Sequence, residues 1–370
     1  MIQRAYKFRI YPNPDQEIQI IKTFGCVRFV YNNCFAKRQE VYKTDNKTMG
    51  KTACNNYVNR ELKFKFIWLK EVDKFSLTNS VFNLDTAYNN FFAGKSDFPK
   101  FKSKHNNKHS YTTNITNNNI EVNFEEHCIK LPKLKWVKAK VHRIFSGKIK
   151  NATISKAASG KYFVSILVEE EEQGLPKLDT TIGFDLGLKD FLVDDKGNCV
   201  KNPKVLNDYL NKLARCQRRL AKKIKGSKNW DKCRIKLARI YEKIKNVRRD
   251  FQNKLSKKII DENQVIISED LDIKAMKDNP KLARAISDAG WAEFMRQLEY
   301  KARWHGRIYH QIDRFFPSSQ TCSFCGYKNS EVKNLYIREW ICPKCENIQD
   351  RDINAAINIL KKGLEELNML

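Results

Sequence analysis

Thr181-Ile-Gly-Phe-Asp-Leu-Gly-Leu-Lys-Asp190 is a short apolar stretch with an aspartate at position 185 and a glycine two residues later. Its β-branched and aromatic residues predict a strand that carries Asp185. Gly187 predicts a sharp turn or a close backbone approach just beyond it. The pattern occurs wherever a strand ends in a turn, so its meaning depends on acidic segments further along the chain.

Two further acidic segments complete a set of three. Val265-Ile-Ile-Ser-Glu-Asp-Leu271 places Glu269 at the end of an apolar run that predicts a buried strand. Asp350-Arg-Asp-Ile-Asn-Ala-Ala-Ile-Asn358 predicts the start of a helix, with Asp350 as its N-cap and Asp352 as the better ligand. A strand centre in the first segment, a strand end in the second and a helix N-terminus in the third can bring three carboxylates together.

These carboxylates predict a site for hard divalent cations, with Asp185, Glu269 and Asp352 as Mg²⁺ ligands. Mg²⁺ binds one or two carboxylates, keeps several waters and contacts phosphate oxygens. Two ions about 3.5–4 Å apart can activate water and stabilise a leaving 3′ oxygen in line. Without metal, the three charges would repel and raise each other's pKa. The predicted chemistry is therefore phosphodiester cleavage with two Mg²⁺ ions.

Four cysteines stand just before the third segment. The pairs Cys322-x2-Cys325 and Cys342-x2-Cys345, separated by 16 residues, match the spacing of a zinc ribbon. Four thiolates form a closed tetrahedron around Zn²⁺, so we expect one structural zinc ion. A chance array of thiols and an iron–sulfur cluster are the alternatives. The other seven cysteines follow no pattern, which favours a reducing intracellular compartment over a disulfide framework.

The charge of the chain predicts a polyanionic partner. Its 370 residues hold 70 Lys and Arg against 42 Asp and Glu, a formal net charge of +28. Nucleic acid is the commonest partner of so basic a protein; a merely basic protein, or one that lies on anionic membranes, is the alternative. No apolar run is long enough for a transmembrane helix, and the first ten residues lack the apolar stretch of a signal peptide.

Much of this positive charge lies between the first two acidic segments. Residues 201–258 hold 21 Lys and Arg and only four acidic residues. Apolar residues recur there at helical spacing in two runs, Leu206, Leu210, Leu213, Leu220 and Ile224, then Leu237, Ile240, Ile244, Val247, Phe251, Leu255 and Ile259. Two antiparallel helices broken at 226–229 are predicted. Their charge fits either a solvated coiled-coil face or, as we favour, a surface that grips a nucleic-acid backbone.

The first 176 residues predict a helical module inserted among strands. The alternating stretch 6–12 predicts a strand that stops at a proline. The predicted helices run from 13 toward 42, over 57–64 and over 74–92. The predicted strands that follow are 120–124, 127–131, 136–141, 149–154 and 161–168. The acidic and then Gly/Pro-bearing stretch 169–176 predicts a linker to the next domain.

Taken together, these motifs resemble TnpB, the transposon-encoded RNA-guided nuclease family ancestral to the type V CRISPR effectors. The resemblance covers nearly the whole chain and includes the strand at 6–12. The other segments that carry it are Arg28-Phe-Val-Tyr-Asn-Asn33, Leu84-Asp-Thr-Ala-Tyr-Asn-Asn-Phe-Phe92, Phe98-Pro-Lys-Phe-Lys102, Ile286-Ser-Asp-Ala-Gly-Trp291, Gln297-Leu-Glu-Tyr-Lys301 and Pro317-Ser-Ser-Gln-Thr-Cys322.

The resemblance implies an α+β multidomain, bilobed fold. The expected first lobe is a strand-rich wedge β-barrel over 1–12 and 96–176, with a helical recognition domain inserted over 13–95. The expected second lobe is an RNase H-like RuvC α/β nuclease domain over 177–316 and 347–370, which includes the basic helical hairpin at about 203–262. A four-cysteine zinc ribbon is expected to be inserted in this nuclease domain over 317–346.

The same resemblance implies a Mg²⁺-dependent DNA endonuclease that works in the prokaryotic cytoplasm at the nucleoid, with Asp185, Glu269 and Asp352 as its catalytic triad. Its expected partners are a guide RNA made from the transposon end and a target DNA with a short adjacent motif. The residues expected to read that motif are Lys74, Phe75, Thr78, Asn79, Thr116 and Asn117. Lysine suits phosphates or base acceptors, and threonine and asparagine suit base edges, although a helix face with a polar loop is the plain alternative.

Three rival functions stay open on the sequence alone. A guide-bound repressor would bind DNA without cutting it, although all three catalytic positions are filled. A guide-independent transposase would join DNA ends without any RNA. A structural RNA-binding protein would keep its whole activity when Mg²⁺ is chelated.

Overall fold

The chain folds as two compact units, Met1–Glu171 and Glu172–Leu370. The computed structural model describes residues 1–105, 109–171, 174–334 and 336–369. Each unit has its own sheet and its own hydrophobic core. Within the described ranges, no helix is both long enough and apolar enough to cross a membrane.

A seven-stranded antiparallel sheet forms the base of the first unit. Its strands are β1 Ile2–Tyr11, β2 His109–Asn114, β3 Glu121–Asn123, β4 Cys128–Leu131, β5 Lys135–Lys140, β6 Lys148–Lys156 and β7 Tyr162–Glu170. The order across the sheet is β2-β6-β7-β1-β5-β4-β3. The first strand in sequence therefore lies in the middle of the sheet, where it pairs with β7 on one side and β5 on the other.

One face of this sheet carries the core of the first unit. Along β7, the buried residues Tyr162, Val164, Ile166 and Val168 alternate with less buried ones. A period of two places them on one face, where they pack with Phe8 of β1. The five strands predicted after residue 119 are confirmed to within two residues at each end. Strand β2 was not predicted, because its Asn- and Thr-rich surroundings have the composition of a loop.

The helices of the first unit follow β1. They are α1 Pro14–Asp45, α2 Lys51–Tyr57, α3 Lys63–Lys65 and α4 Lys74–Phe92, with a π-helical turn Val58–Leu62 and a 3₁₀ turn Ile67–Lys70 between them. A capping box starts α1, because Asn13 Oδ1 accepts from the Gln16 N–H at 2.8 Å and the Gln16 side chain accepts from the Asn13 N–H at 3.0 Å. Helices α1 and α4 share an apolar core that includes Val30, Cys34 and Leu84.

The helix predicted over 74–92 is confirmed, but two neighbouring boundaries were wrong. The second helix begins at Lys51, earlier than predicted, where a run of polar residues hides the helical period. The linker predicted from 169 begins too early, because Glu169 and Glu170 still pair with β1 as the last residues of β7. Of the rest of that linker, residues 172 and 173 lie outside the described ranges.

The second unit is built on a five-stranded mixed sheet. Its strands are β8 Thr181–Asp185, β9 Asp190–Asp194, β10 Cys199–Lys201, β11 Val265–Glu269 and β12 Ile308–Ile312, in the order β10-β9-β8-β11-β12. Strands β8, β11 and β12 are parallel, whereas β9 and β10 are antiparallel to their neighbours. Because parallel strands end at the same edge, β8 and β11 bring Asp185 and Glu269 to one side of the sheet. The prediction that Asp185 sits at a strand centre was wrong, since it is the last residue of β8.

In the described part of this unit, six α-helices accompany the sheet. They are α5 Val205–Ala221, α6 Lys228–Glu262, α7 Ile273–Met276, α8 Pro280–Ala289, α9 Trp291–His305 and α10 Arg351–Glu366. The predicted hairpin of two basic helices is confirmed: α5 and α6 pack through Val205, Leu213, Ile240 and Ile244. Ile224 does not belong to this face as predicted, because α5 ends at Ala221 and leaves the Ile224 side chain 82% exposed in the turn.

Helix α10 packs on β8 and β11 at two glycines. A Cβ atom on Gly183 of β8 would stand 2.5 Å from Leu360 Cβ and 2.7 Å from the Ala356 carbonyl oxygen. A Cβ atom on Gly363 of α10 would overlap the Ile267 side chain of β11. Core atoms are already close-packed, so only glycine permits this approach. The contact fixes the first turn of α10 beside the ends of both strands.

We predict that Gly183→Ala destabilises the second unit. The added methyl meets helix backbone, so α10 has to shift away from β8, at a cost of about 1–3 kcal/mol in unfolding free energy. Thermal unfolding of the purified protein measures the effect. Gly174→Ala is the matched control, because a Cβ atom there has open space around it. Equal unfolding temperatures for the two variants would contradict the packing argument.

Candidate active site

The structure brings the three predicted acidic residues to one edge of the second sheet. Asp185 and Glu269 are the last residues of β8 and β11. Asp352 lies in the first turn of α10, after Asp350, whose side chain caps the helix by accepting from the N–H groups of Asp352 and Ile353 at 2.9 Å. Asp350 is therefore the N-cap of α10, as predicted.

Electrostatics show that the three carboxylates are near one another. Burial raises the pKa of Asp185 to about 7, and the charges of Glu269 and Asp352 add to the rise. Burial also raises the pKa of Glu269, against the hydrogen bond that Ser318 Oγ donates to it. A carboxylate held near like charges in a poorly solvated place is unfavourable in the metal-free protein. A divalent cation would offset that repulsion.

We predict that the metal-free protein becomes more stable as the pH falls from about 7.5 to 5.5. The pKa of Asp185 is about 7 in the folded protein and near its ordinary value of 3.8 in the unfolded chain. Between these two pH values the folded protein binds more protons than the unfolded chain, so its free energy of unfolding rises as the pH falls. Asp185→Asn removes this pH-dependent term. In Mg²⁺-free buffer, the variant should exceed the wild type in unfolding temperature by more at pH 7.5 than at pH 5.5. Saturating Mg²⁺ should stabilise the wild type and not the variant. A pH-independent difference would refute the assignment.

Two residues that the sequence did not single out complete the contacts of the acids. Arg338 Nη1 donates to both carboxylate oxygens of Asp352, at 3.2 Å each. Ser318 holds the Glu269 carboxylate. Both residues lie close to the four cysteines in sequence. For Arg338 that position was the only available signal, whereas Ser318 also lies in the segment 317–322 that carries the resemblance.

The four predicted zinc ligands come together as a compact cluster. The Sγ atoms of Cys322, Cys325, Cys342 and Cys345 all lie within 4.8 Å of one another. In the described chain this is the only such group of three or more Cys, His, Asp or Glu residues, so the carboxylates are spaced more widely than the thiols. Hydrogen bonds from the backbone and side chain of Asn347 lower the pKa of the Cys345 thiol, which favours the thiolate that binds zinc. The donor set and its closeness fit Zn²⁺.

A small hairpin connects the cysteine cluster to the acids. Strands β13 Glu339–Ile341 and β14 Ile348–Asp350 pair antiparallel on either side of the second cysteine pair, and β14 leads into α10. The Arg351 N–H donates to the Arg338 carbonyl at 2.8 Å and extends this pairing. The hairpin therefore places the Arg338 side chain over Asp352. Folding of the cysteine cluster and the position of Arg338 are thus linked.

Two asparagines of α10 tie the first cysteine pair to the helix. Asn354 Nδ2 and Asn358 Nδ2 donate to the Thr321 carbonyl at 2.7 and 2.6 Å, and Asn358 Nδ2 donates to the Ser318 carbonyl at 2.8 Å. The Asn354 oxygen accepts from the Ser323 N–H at 2.8 Å. Both amides are buried, so their hydrogen bonds are costly to lose. These contacts explain why asparagine recurs four residues apart in the third acidic segment.

The six residues expected to read a DNA motif lie on α4 and on the loop after β2. Lys74, Thr116 and Asn117 are exposed, whereas Phe75, Thr78 and Asn79 are all half-buried. The Asn79 amide donates to the Thr112 carbonyl at 3.0 Å and to Asn114 Oδ1 at 3.1 Å. Asn79 therefore joins the helix to the strand that leads into the loop. The structure brings both groups into one region of the first unit.

Family models match three parts of the chain. Residues 165–280 match a family described as "Probable transposase", and residues 291–359 match "Cas12f1-like, TNB domain". Residues 1–47, which hold β1 and α1, match "Helix-turn-helix domain". The first two ranges contain all three acids and all four cysteines of the sites described above.

Full-length relatives are also found. A protein of Streptomyces pristinaespiralis named "Putative RNA-guided DNA endonuclease" is 35% identical over 98% of this chain and 90% of its own length. The similarly named InsQ of Escherichia coli K12 is 30% identical over 97% of this chain and 92% of its own. Among solved structures, the protein in a Cas12f1-sgRNA-target DNA complex matches with a TM-score of 0.65 over 97% of this chain and 98% of its own, at 13% identity. That last similarity concerns the fold alone.

Proposed function

This chain belongs to the TnpB family, and on that premise we propose that it is a transposon-encoded endonuclease that cuts DNA selected by a guide RNA. The observation that supports DNA cleavage is that Asp185, Glu269 and Asp352 lie together at one edge of the sheet. Burial raises the pKa of Asp185, and the charges of the other two acids raise it further. A protein that only bound nucleic acid would gain nothing from three acids that repel one another and the phosphate backbone.

The donor set at this edge fits Mg²⁺. Its groups are carboxylate oxygens, which hard divalent ions prefer, and their mutual repulsion calls for a cation. We propose that Asp185, Glu269 and Asp352 hold two Mg²⁺ ions. When bound, Mg²⁺ supplies Lewis-acid stabilisation of phosphate oxygens and a nucleophile at neutral pH. The four cysteines are proposed to hold one Zn²⁺ that only supports the fold.

The protein's own side chains prepare the site for a phosphodiester. Ser318 orients Glu269 through its hydroxyl, and the Asp350 cap fixes the first turn of α10, where Asp352 lies. Arg338 brings a guanidinium to the Asp352 carboxylate, so a phosphate that approaches Asp352 meets a hydrogen-bond donor as well. These residues position the acids and offset the charge of the DNA backbone.

The domain plan of the family is proposed for this chain on two supports. In the strand order β10-β9-β8-β11-β12, the first three strands pair antiparallel, and β11 and β12 are parallel to β8. This arrangement supports an RNase H-like RuvC domain over 177–316 and 347–370. The compact thiols support a zinc ribbon over 317–346. We propose the wedge barrel over 1–12 and 96–176 and the recognition domain over 13–95.

Nucleic-acid contacts are proposed for two surfaces, each within one unit. The hairpin of α5 and α6 carries its basic side chains largely exposed, while its apolar residues pack between the helices, so its charge is available to a phosphate backbone. In the first unit, Lys74, Phe75, Thr78, Asn79, Thr116 and Asn117 are proposed to read the motif beside the target.

The proposal is tested by co-expressing the protein with the flanking transposon DNA, purifying it and sequencing the RNA that comes with it. The complex is then given a plasmid whose matching target lies beside randomised bases, with and without Mg²⁺. Metal-dependent cuts at the guide-matched site are expected. The base sequences that are depleted from the uncut plasmids identify the adjacent motif. Bound RNA without cuts would favour a repressor. Cutting that needs no RNA would favour a transposase.

A further inference from the structure

A pocket of about 440 Å³ opens between α1 and the segment that precedes α4. Its volume falls in the range of small-ligand sites. The α1 side is formed by Lys22, Gly25, Cys26, Arg28, Phe29 and Asn32, and the facing side by Trp68, Glu71 and Val72. None of these residues is used by the proposed catalytic or motif-reading sites.

Gly25 is the unusual residue of this pocket. It lies in the interior of the 32-residue helix α1, where glycine is among the poorest choices. Its backbone is not left-handed, and a Cβ atom built on it would meet no other atom within 4 Å. Neither turn geometry nor close packing therefore requires glycine here. What glycine does is leave the floor of the pocket open.

The walls of the pocket carry flat rings and positive charge. Trp68 is 40% exposed, and its ring is held edge-to-face by Phe29, with ring centroids 4.9 Å apart. Arg28 adds a guanidinium on the α1 side. At the rim, Lys22 Nζ pairs with the Glu71 carboxylate at 3.0 Å. An open ring, a guanidinium and a carboxylate suit the faces and edges of a nucleobase.

We propose that this pocket binds one unstacked base of a nucleic acid, which stacks on Trp68 and occupies the space above Gly25. The net charge of the protein favours a nucleic acid over an acidic peptide, and an aromatic face accepts any base. The proposal rests on the proposed function for the identity of its ligand. The base comes either from the guide RNA or from the target DNA, and both share the chemistry that the pocket recognises.

Gly25→Leu separates binding from folding. Leucine is a better helix former than glycine, so the variant should unfold about 2–4 °C higher than the wild type. Its side chain also fills the pocket. Loss of one stacked base should weaken nucleic-acid binding by about 5–150-fold. A variant that is more stable and yet binds more weakly cannot be explained by damage to the fold.

Ala36→Leu is the matched control, because it adds leucine at an exposed position of the same helix. Trp68→Ala removes the stacking ring and should weaken binding without filling the pocket. The double variant Gly25→Leu/Trp68→Ala should bind no more weakly than Gly25→Leu, because the filled pocket has already excluded the base.

Two arms identify the source of the base. The first measures guide-RNA affinity of the free protein, and the second measures target-DNA affinity of guide-loaded complexes. A loss in the first arm assigns the base to the guide, and a loss in the second alone assigns it to the target. Scanning 2-aminopurine along the affected strand should give one position whose fluorescence changes on binding in the wild type and in Ala36→Leu but not in Gly25→Leu. Equal affinities of Gly25→Leu and Ala36→Leu in both arms would overturn the proposal.

Failure of the proposed function looks different from failure of the pocket. If the wild type binds no guide RNA and no guided target, the proposed function fails and the pocket is tested with unguided single-stranded oligonucleotides. Weaker binding by Gly25→Leu than by Ala36→Leu would then still support the pocket. Equal binding would refute it.

Discussion

Asp185→Ala is expected to abolish DNA cleavage while leaving guide-RNA and target binding within a few-fold of the wild type. The Lewis-acid contribution of metal at such a site is several kcal/mol, which corresponds to a loss on the order of 10³-fold in rate. Asp185 is the member of the set whose pKa both other acids raise, so its removal should leave the remaining two unable to gather the metal. The rate of target cleavage by guide-loaded protein under single-turnover conditions measures the effect.

Asp195→Asn is the matched control for this variant. Asp195 lies just after the neighbouring strand β9 and accepts from the Gly183 N–H at 2.9 Å, so it is another acid near the same strand without a place among the three. It should keep most of the cleavage activity, with at most a moderate loss of stability from the weakened hydrogen bond. Loss of target binding by Asp185→Ala to the same degree as loss of cleavage would mean that Asp185 supports the fold rather than the reaction.

The placements of Glu269 and Asp352 were predictable because each follows a local sequence pattern, whereas Asp185 was expected at a strand centre and lies at a strand end. An apolar run ending in an acid predicts a strand with the acid at its tip, as with Glu269 on β11. Asp350 and Asp352 follow the preference of a helix start for acidic residues. The sequence alone could not show that β8 and β11 end side by side, because that depends on parallel pairing between strands about 80 residues apart in the chain. The family resemblance supplied that step.

The residues that contact the acids were not predictable, because no local sequence pattern indicates those contacts. Ser318 and Arg338 act through contacts made across the fold, and their residue types alone do not reveal those contacts. Gly183 was likewise overlooked in favour of Gly187, because only the packed structure shows which glycine α10 approaches. Strand β2 was missed because it lacks a regular apolar alternation and lies among asparagines, which are depleted in strands and common in turns.

The cysteine cluster leads to the second large prediction, that Cys342→Ser abolishes cleavage although Cys342 touches no acid. Structural zinc contributes about 10–16 kcal/mol of binding free energy in small modules, which is comparable to the whole stability of a domain. The apolar core around Cys342 is small, with Val332 and Trp340 as its main members, so it cannot hold the module without metal. Zinc content should fall below one ion per chain, and the segment 317–350 should become protease-sensitive.

Loss of the module disables the acids through two contacts. Ser318 would no longer orient Glu269, and the hairpin that holds Arg338 over Asp352 would come apart. The asparagines of α10 that bind the Thr321 carbonyl would lose this buried acceptor at the same time, which loosens the first turns of the helix. Cleavage should therefore fall by at least about 10²-fold even at saturating Mg²⁺.

Cys233→Ser is the matched control, because Cys233 lies in the basic hairpin of the same unit and outside the cluster. It should keep one zinc ion per chain and full cleavage. For the wild type, stripping zinc with a thiophilic chelator should remove activity, and Zn²⁺ but not Mg²⁺ should restore it. Full activity of zinc-free Cys342→Ser protein would show that the carboxylate site stands without the module. The hydrogen bonds from the module to Glu269, Asp352 and α10 would then be dispensable, and the pairing of β8 with β11 and the packing of α10 at Gly183 and Gly363 would suffice to position the acids.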